Sequence, residues 1–103
     1  MDTSVRIGSY SGPAKVGGAD AMVEFSAHCQ LDVSGAFEEV TWDGMAFVVD
    51  SQQTSQIVGN HVPIEIEGRT AEVKASGDFL LLEGVHEIRL TGCGAPPFEI
   101  AVV

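Results

Sequence analysis

Apolar and polar residues alternate with a period of two over most of the chain. Between residues 21 and 33 every odd position is apolar, and the even positions after Met22 are polar. Alternate side chains of a β-strand point to opposite faces, so this segment is predicted to be a long strand with one buried face. Shorter alternating segments at residues 62–67, 70–75 and 87–91 predict further strands, and residues 98–102 predict the last one.

The apolar positions between residues 37 and 49 change phase partway. Val40 and Trp42 lie at even positions, whereas Met45, Phe47 and Val49 lie at odd ones, with Asp43-Gly44 between the two sets. One additional residue at this point would return both sets to the same face, which is typical of a β-bulge or a tight bend. The change of phase also predicts that an acidic side chain points inward beside Trp42.

Turn residues divide these segments at intervals typical of an all-β domain. The apolar run at residues 79–82 predicts a strand covered on both faces, and the polar stretch at residues 50–56 predicts a flexible loop. We therefore expect an all-β fold, an antiparallel β-sandwich or a small β-barrel of seven to nine strands with no secure helix. No break in composition divides the chain, so residues 1–103 are predicted to form a single β domain. The turn signals are Asn60-His61, Gly68-Arg69, Ser76-Gly77-Asp78 and Glu83-Gly84.

The charge of the chain narrows the range of partners. Fifteen acidic residues against five basic ones give a formal net charge of −10, which argues against binding to nucleic acid or to an anionic membrane. The sequence shows neither a secretory signal nor an apolar run long enough to span a membrane, so a cytoplasmic protein is expected. Cys29 and Cys93 are then expected to be reduced thiols. They are too few and too far apart to indicate a zinc site, and no metal or cofactor is predicted.

Motifs that would identify an enzyme are mostly missing from the sequence. It contains neither a GxxxxGK[ST] phosphate loop nor a GxGxxG sequence that opens a helix. Asp43, Glu39 and His28 are the weak candidates for acid–base chemistry, because a carboxyl group buried near Trp42 would have a raised pKa. Solvent-exposed acids on an outer sheet face explain the same pattern, and a non-catalytic protein is the favoured interpretation.

Two segments combine glycine, proline and aromatic residues more densely than simple connections require. They are residues 10–14, Tyr-Ser-Gly-Pro-Ala, and residues 91–98, Thr-Gly-Cys-Gly-Ala-Pro-Pro-Phe. Glycine permits close approach of the backbone and proline restricts φ, so both segments are predicted to be rigid, shaped loops.

Together with Trp42-Asp43-Gly44, these segments resemble a small bacterial domain of unknown function that occurs alone or fused behind flavin-dependent monooxygenases. The family pattern is Y-x-G-P-A, then W-x-G, then G-x-G-x-P-P-F, and the resemblance extends from Tyr10 to Phe98. It implies an accessory role beside an oxidative enzyme and implies no catalytic residues. The middle segment around residues 52–56 does not match the family. The shared positions are Tyr10, Gly12, Pro13, Trp42, Gly44, Gly92, Gly94, Pro96, Pro97 and Phe98.

Three functions are compatible with these observations. The first is an accessory β-domain that binds a protein, either a second copy or an oxidative enzyme such as a monooxygenase. The second is a barrel that binds a small apolar molecule in a cavity lined by Tyr10, Trp42, Met45, Phe47 and Phe98. The third is a cofactor-free enzyme of the cyclase or isomerase type. The predicted ligand or interaction surface consists of the ten shared positions and Cys93.

Overall fold

A computed structural model of the chain describes residues 3–31, 34, 37–49 and 51–100. Within these residues six strands and one short α-helix form, and a single turn of 3-10 helix at Leu82–Gly84 connects the last two strands. Seven to nine strands were predicted, so the class is confirmed and the number is wrong. The elements are β1 (Thr3–Val16), β2 (Ala19–Leu31), β3 (Phe37–Val48), α1 (Ser51–Ile57), β4 (His61–Ile66), β5 (Arg69–Leu80) and β6 (His86–Cys93).

The six strands form one antiparallel sheet in the order β1-β2-β3-β6-β5-β4, and the order closes on itself because β4 also pairs with β1. This closing contact is short, with Lys15 opposite Glu65 and Val16 opposite Ile64. The carbonyl of Pro63 accepts a hydrogen bond from the backbone N–H of Gly17 at 2.8 Å on this side. Because proline has no N–H to donate in return, the β4 edge that faces β1 offers few ladder bonds.

Two-residue turns connect β1 to β2 and β4 to β5. Their central residues have positive φ, with 60° and 84° at Gly17 and Gly18 and with 50° and 82° at Glu67 and Gly68. Positive φ at both central positions is the conformation that tight antiparallel hairpins favour. The hairpin predicted near Gly68 is therefore confirmed, whereas the first hairpin was not predicted, because residues 10–14 were interpreted as a loop and lie within β1.

β3 keeps a single phase, so the predicted bulge at Asp43-Gly44 is wrong. Its pairing with β2 has no register shift over residues 39–47. The even positions from Trp42 to Val48 face the interior, and Asp43 is exposed. The prediction failed because the inner face carries the small residue Gly44 beside the ring of Phe25, while larger apolar side chains lie on the outer face.

Bulges occur instead in β1 and β5. The pairing register shifts between Arg6 and Gly8 in β1 and between Ser76 and Asp78 in β5. Gly77 has a φ of 73°, which suits the additional residue of a bulge. The predicted turn at residues 76–78 is therefore an irregularity inside a strand that continues to Leu80.

Two further predictions about local structure are wrong. The polar stretch predicted to be a flexible loop contains α1, in which Thr54 and Ile57 are buried. The segment from residue 94 to residue 100 is irregular rather than a last strand, and Val102 lies outside the described residues. Within the described part of the chain, no helix is long and apolar enough to cross a membrane.

The interior is filled from both ends of the closed sheet. Ile57 of α1 lies beside Gly17, and the C-terminal segment packs across β1 so closely that a Cβ at Gly8 would contact the backbone of Glu99. Thr54 is the one buried polar residue among those whose burial is described. The largest fully buried side chains are Trp42, Ile64, Ile66, Ile88 and Leu90.

We expect Gly44→Ala to lower the free energy of unfolding by about 1–3 kcal/mol, as overpacking of a filled core does. A Cβ at this position would clash with the carbonyl of Glu24 on β2. Thr41→Ala is the matched control, because Thr41 is exposed on the outer face of the same strand and should change the value by less than about 0.5 kcal/mol. Urea denaturation followed by circular dichroism measures both. Equal stability of the two variants would contradict the packing described here.

Candidate functional site

The three sequence motifs meet in one aromatic cluster, defined by Tyr10, Phe25, Trp42 and Phe98. The ring centroids of Tyr10 and Phe98 are 6.3 Å apart, and those of Phe25 and Trp42 are 5.3 Å apart. Phe98 also lies 6.0 Å from both Phe25 and Trp42. Such distances are typical of attractive aromatic pairs. Phe25 was missed as a member, because it belongs to the regular alternation of β2 and to no motif.

The glycines of the motifs provide space for these rings. Gly12 lies under the ring of Tyr10, whose hydroxyl donates a hydrogen bond to the carbonyl of Pro13 at 2.6 Å. Gly92 lies directly under the indole of Trp42, where any Cβ would overlap the ring. The spacing of aromatic, glycine and proline residues therefore has a packing explanation.

Trp42 links β3 to the segment that follows β6. Its indole Nε1 donates a hydrogen bond to the carbonyl of Gly94 at 2.9 Å, and the side chain is only 1% exposed. Phe98, Pro97 and Gly12 are also buried. A partner therefore cannot contact these four of the eleven predicted surface residues in this conformation, because they pack inside the fold. The remaining predicted surface residues are half-buried or exposed, namely Tyr10, Pro13, Gly44, Gly92, Cys93, Gly94 and Pro96.

The residues predicted to line an apolar cavity are divided between two faces. Trp42 and Phe98 pack against each other inside, whereas Met45 and Phe47 lie half-buried on the outer face of β3. Strand geometry requires this division, because residues an odd number of positions apart on one strand point to opposite sides.

Tyr10 lies at the margin of the aromatic cluster and has a raised pKa. Partial burial of the phenol is the main cause, and the negative charge of Glu67 is the second. Both effects disfavour the tyrosinate. The hydroxyl is therefore a neutral hydrogen-bond donor rather than a general base.

A groove of about 650 Å³ crosses the outer face of β1, β2, β3, β5 and β6. It brings together two of the three catalytic candidates, His28 and Asp43, while Glu39 is not among the residues that line it. No hydrogen bond joins His28 to Asp43 among the described residues. Asp43 and Glu39 are exposed, so the predicted inward acid at these positions is wrong. The groove offers charged and hydroxyl groups to a polar ligand, from Arg6, Ser9, Ser11, Glu24, Ser26, Arg89 and Thr91.

A second cluster of chemically capable side chains was not predicted. His61, Glu72 and Cys93 each offer one ligand atom, and these atoms lie within 4.8 Å of one another. The Nδ1 atom of His61 is 3.0 Å from a carboxylate oxygen of Glu72. No sequence signal could have found this cluster, because only the pairing register of three strands brings the residues together. Cys29 is also a free thiol, and burial raises its pKa.

An apolar protrusion lies where β5 passes into β6. We define the β5–β6 tip as residues 79–82, which are Phe79, Leu80, Leu81 and Leu82, with exposed fractions of 50%, 69%, 42% and 89%. The prediction of a strand covered on both faces is wrong, because all four of these side chains are exposed. The guanidinium of Arg89 on β6 lies over the Phe79 ring, with its Cζ 5.7 Å from the ring centroid. The backbone here is hydrogen-bonded across the turn, since the N–H of Leu81 donates to the carbonyl of Val85 at 2.7 Å.

Comparisons of the chain with family models, curated proteins and solved structures found no match. The resemblance to a monooxygenase-associated domain therefore stays a prediction, and the function must be argued from the geometry of the chain.

We expect Trp42→Ala to lower the free energy of unfolding by about 3–5 kcal/mol, because it empties the interior of a large aromatic side chain. Phe79→Ala is a matched control that removes a half-exposed ring and should cost much less. Denaturation followed by circular dichroism is suitable, since the variant lacks the sole tryptophan. A loss below about 1 kcal/mol for Trp42→Ala would show that the indole is not part of the core.

The titration of Tyr10 can be read directly, because the chain contains one tyrosine. We expect ultraviolet absorbance to give a pKa above the ordinary tyrosine value of 10.0, and Glu67→Gln to lower this pKa only in part, since burial is the larger cause. The unfolded chain loses the phenolic proton first, so the stabilising effect is complete below pH 10 and is lost as the pH rises through the folded-state pKa. Tyr10→Phe should remove that pH dependence. An unshifted titration in the folded protein would contradict the described burial.

Proposed function

We propose that the closed sheet is a small β-barrel that acts as a non-catalytic accessory domain and binds a protein partner through the β5–β6 tip. The exposure of four consecutive large apolar side chains, each at least 42% exposed, carries this proposal. Isolated exposed apolar residues are ordinary on a protein surface, whereas contiguous ones typically mark an interaction site.

The tip is prepared for binding by its geometry. The backbone on both sides is held in the β5–β6 pairing, in which Leu80 lies opposite His86. The Nδ1 atom of His86 lies 2.8 Å from a carboxylate oxygen of Asp78, and this contact also holds the base of the hairpin. Leucine side chains on an ordered turn lose little backbone entropy when a partner covers them. Removal of apolar surface from water is favourable by about 25 cal/mol per Å², and the loss of motional freedom on association offsets much of this gain.

The charge around the tip indicates the chemistry of the partner. Asp78, Glu83 and Glu87 flank this part of the sequence. One basic side chain, Arg89, lies over the Phe79 ring, so the acidic groups outnumber the basic one. An apolar cleft bordered by basic side chains would complement such a surface. A second copy of the chain would bring the same net charge of −10, so a different protein is the favoured partner. A flavin-dependent monooxygenase is the candidate that the sequence resemblance suggests.

The alternative function is binding of a small polar molecule in the outer groove, with or without catalysis. The presence of His28 and Asp43 in the same groove favours it. The groove lies on the outer surface, and the aromatic cluster fills the interior beside it. This alternative therefore differs from the function predicted from the sequence, in which an apolar ligand is bound inside the barrel.

The proposal is tested by placing a photo-crosslinking residue at Leu82 and, as a control, at Thr70, which is exposed beside the β4–β5 hairpin. In the native host, we expect position 82 to give a crosslinked species that contains this chain and a second protein. Position 70 should give none. With the partner so identified and purified, Leu80→Ser should weaken binding by about tenfold or more, as the loss of a central apolar contact does. Val40→Ser, which changes an exposed valine on β3, should leave the affinity unchanged.

Three outcomes would contradict the proposal. Equal crosslinking from both positions would show that the tip is not a specific surface. A crosslinked species that contains only this chain would show that the tip binds a second copy and not a different protein. The third outcome is that the Leu80→Ser variant functions fully in the native host while the His28→Ala variant does not. This result would assign the function to the groove.

A further inference from the structure

We infer that His61, Glu72 and Cys93 form a binding site for a zinc ion or a similar divalent transition metal. Their ligand atoms already lie within 4.8 Å of one another. Ligands that share a tetrahedral zinc ion at bond lengths of 2.0–2.3 Å are about 3.4 Å apart. Small side-chain rotations therefore suffice, and His61 and Glu72, which are well exposed, are free to make them.

The pairing of three neighbouring strands creates this arrangement. Glu72 of β5 lies directly opposite Cys93 of β6. On β4, the residue opposite Glu72 is Pro63, and His61 lies two positions before it, opposite Lys74. His61 is therefore a diagonal neighbour of Glu72 on the outer face. Side chains in direct and diagonal positions on one sheet face are within reach of each other. The site thus rests on strand positions rather than on a mobile loop.

The donor set suits a metal of intermediate softness. A thiolate and an imidazole select zinc and its neighbours over magnesium or calcium, which prefer oxygen ligands throughout. One thiolate and one carboxylate balance the two positive charges of the ion, and the imidazole binds as a neutral ligand. Three protein ligands leave a fourth position for water, which is the arrangement of open zinc sites. By strand register, the positive charge nearest to the site is that of Lys74, which lies opposite His61 and would repel a metal ion. The net charge of −10 of the whole chain favours the binding of a cation.

The backbone around Cys93 is held on both sides. Glu72 pairs with it in the sheet, and the next residue, Gly94, accepts the hydrogen bond from the indole of Trp42 at 2.9 Å. A simple surface ion pair explains why His61 and Glu72 face each other, but it does not explain the half-buried thiol beside them. The metal site accounts for all three residues.

The test is a titration of the chelator-treated protein with Co²⁺, which absorbs strongly when a thiolate binds it, followed by displacement with Zn²⁺. We expect one metal ion per chain and a thiolate-to-cobalt absorption band. Cys93→Ser should abolish the band. His61→Ala and Glu72→Gln should each weaken binding by at least about tenfold, because even changes in the surrounding shell of a metal site cost that much.

Matched controls separate the site from the other thiol and histidines of the chain. Cys29→Ala and His28→Ala should leave both the band and the affinity unchanged, and circular dichroism confirms that each variant folds. Absence of the band in the unmodified protein would overturn the proposal. So would a band that survives Cys93→Ser and disappears with Cys29→Ala. Unchanged affinity in both His61→Ala and Glu72→Gln would also overturn it.

Discussion

The packing of Trp42 on Gly92 is the constraint on which the rest of this structure depends. The two residues lie on the paired strands β3 and β6, and the indole occupies the volume that any larger side chain at position 92 would need. Its hydrogen bond to Gly94 then directs the chain after β6 back across the sheet, where Phe98 joins the aromatic cluster. One side chain thereby joins the centre of the fold to its C-terminal segment.

Small residues and large rings alternate across the interior as a consequence. Phe25 lies beside Gly44, and Tyr10 lies over Gly12, so each ring fills the space that a neighbouring glycine leaves open. Such pairing explains why the glycines carry information that a hydrophobicity pattern does not detect. It also means that the interior is occupied by the side chains of the chain itself.

The outer surface carries three features with distinct chemistry. The β5–β6 tip is apolar, the groove lined by His28 and Asp43 is polar and of mixed charge, and the cluster around Cys93 contains metal-ligand atoms. They are built on the same closed sheet and share no residue, although β5 contributes to all three. Docking through the tip, as proposed, would therefore not by itself cover the residues of the other two features.

The sequence alone was sufficient for the all-β class, for the long β2 strand and for the hairpin at Gly68, because period-two alternation and turn residues act locally. The three motifs that converge were also visible in it. Tertiary structure decided the phase of β3, the helix at α1, the exposure of residues 79–82 and the meeting of His61, Glu72 and Cys93. The exposure of residues 79–82 and the metal-ligand cluster depend on which strand lies beside which, and tertiary packing overrides local preference in β3 and α1.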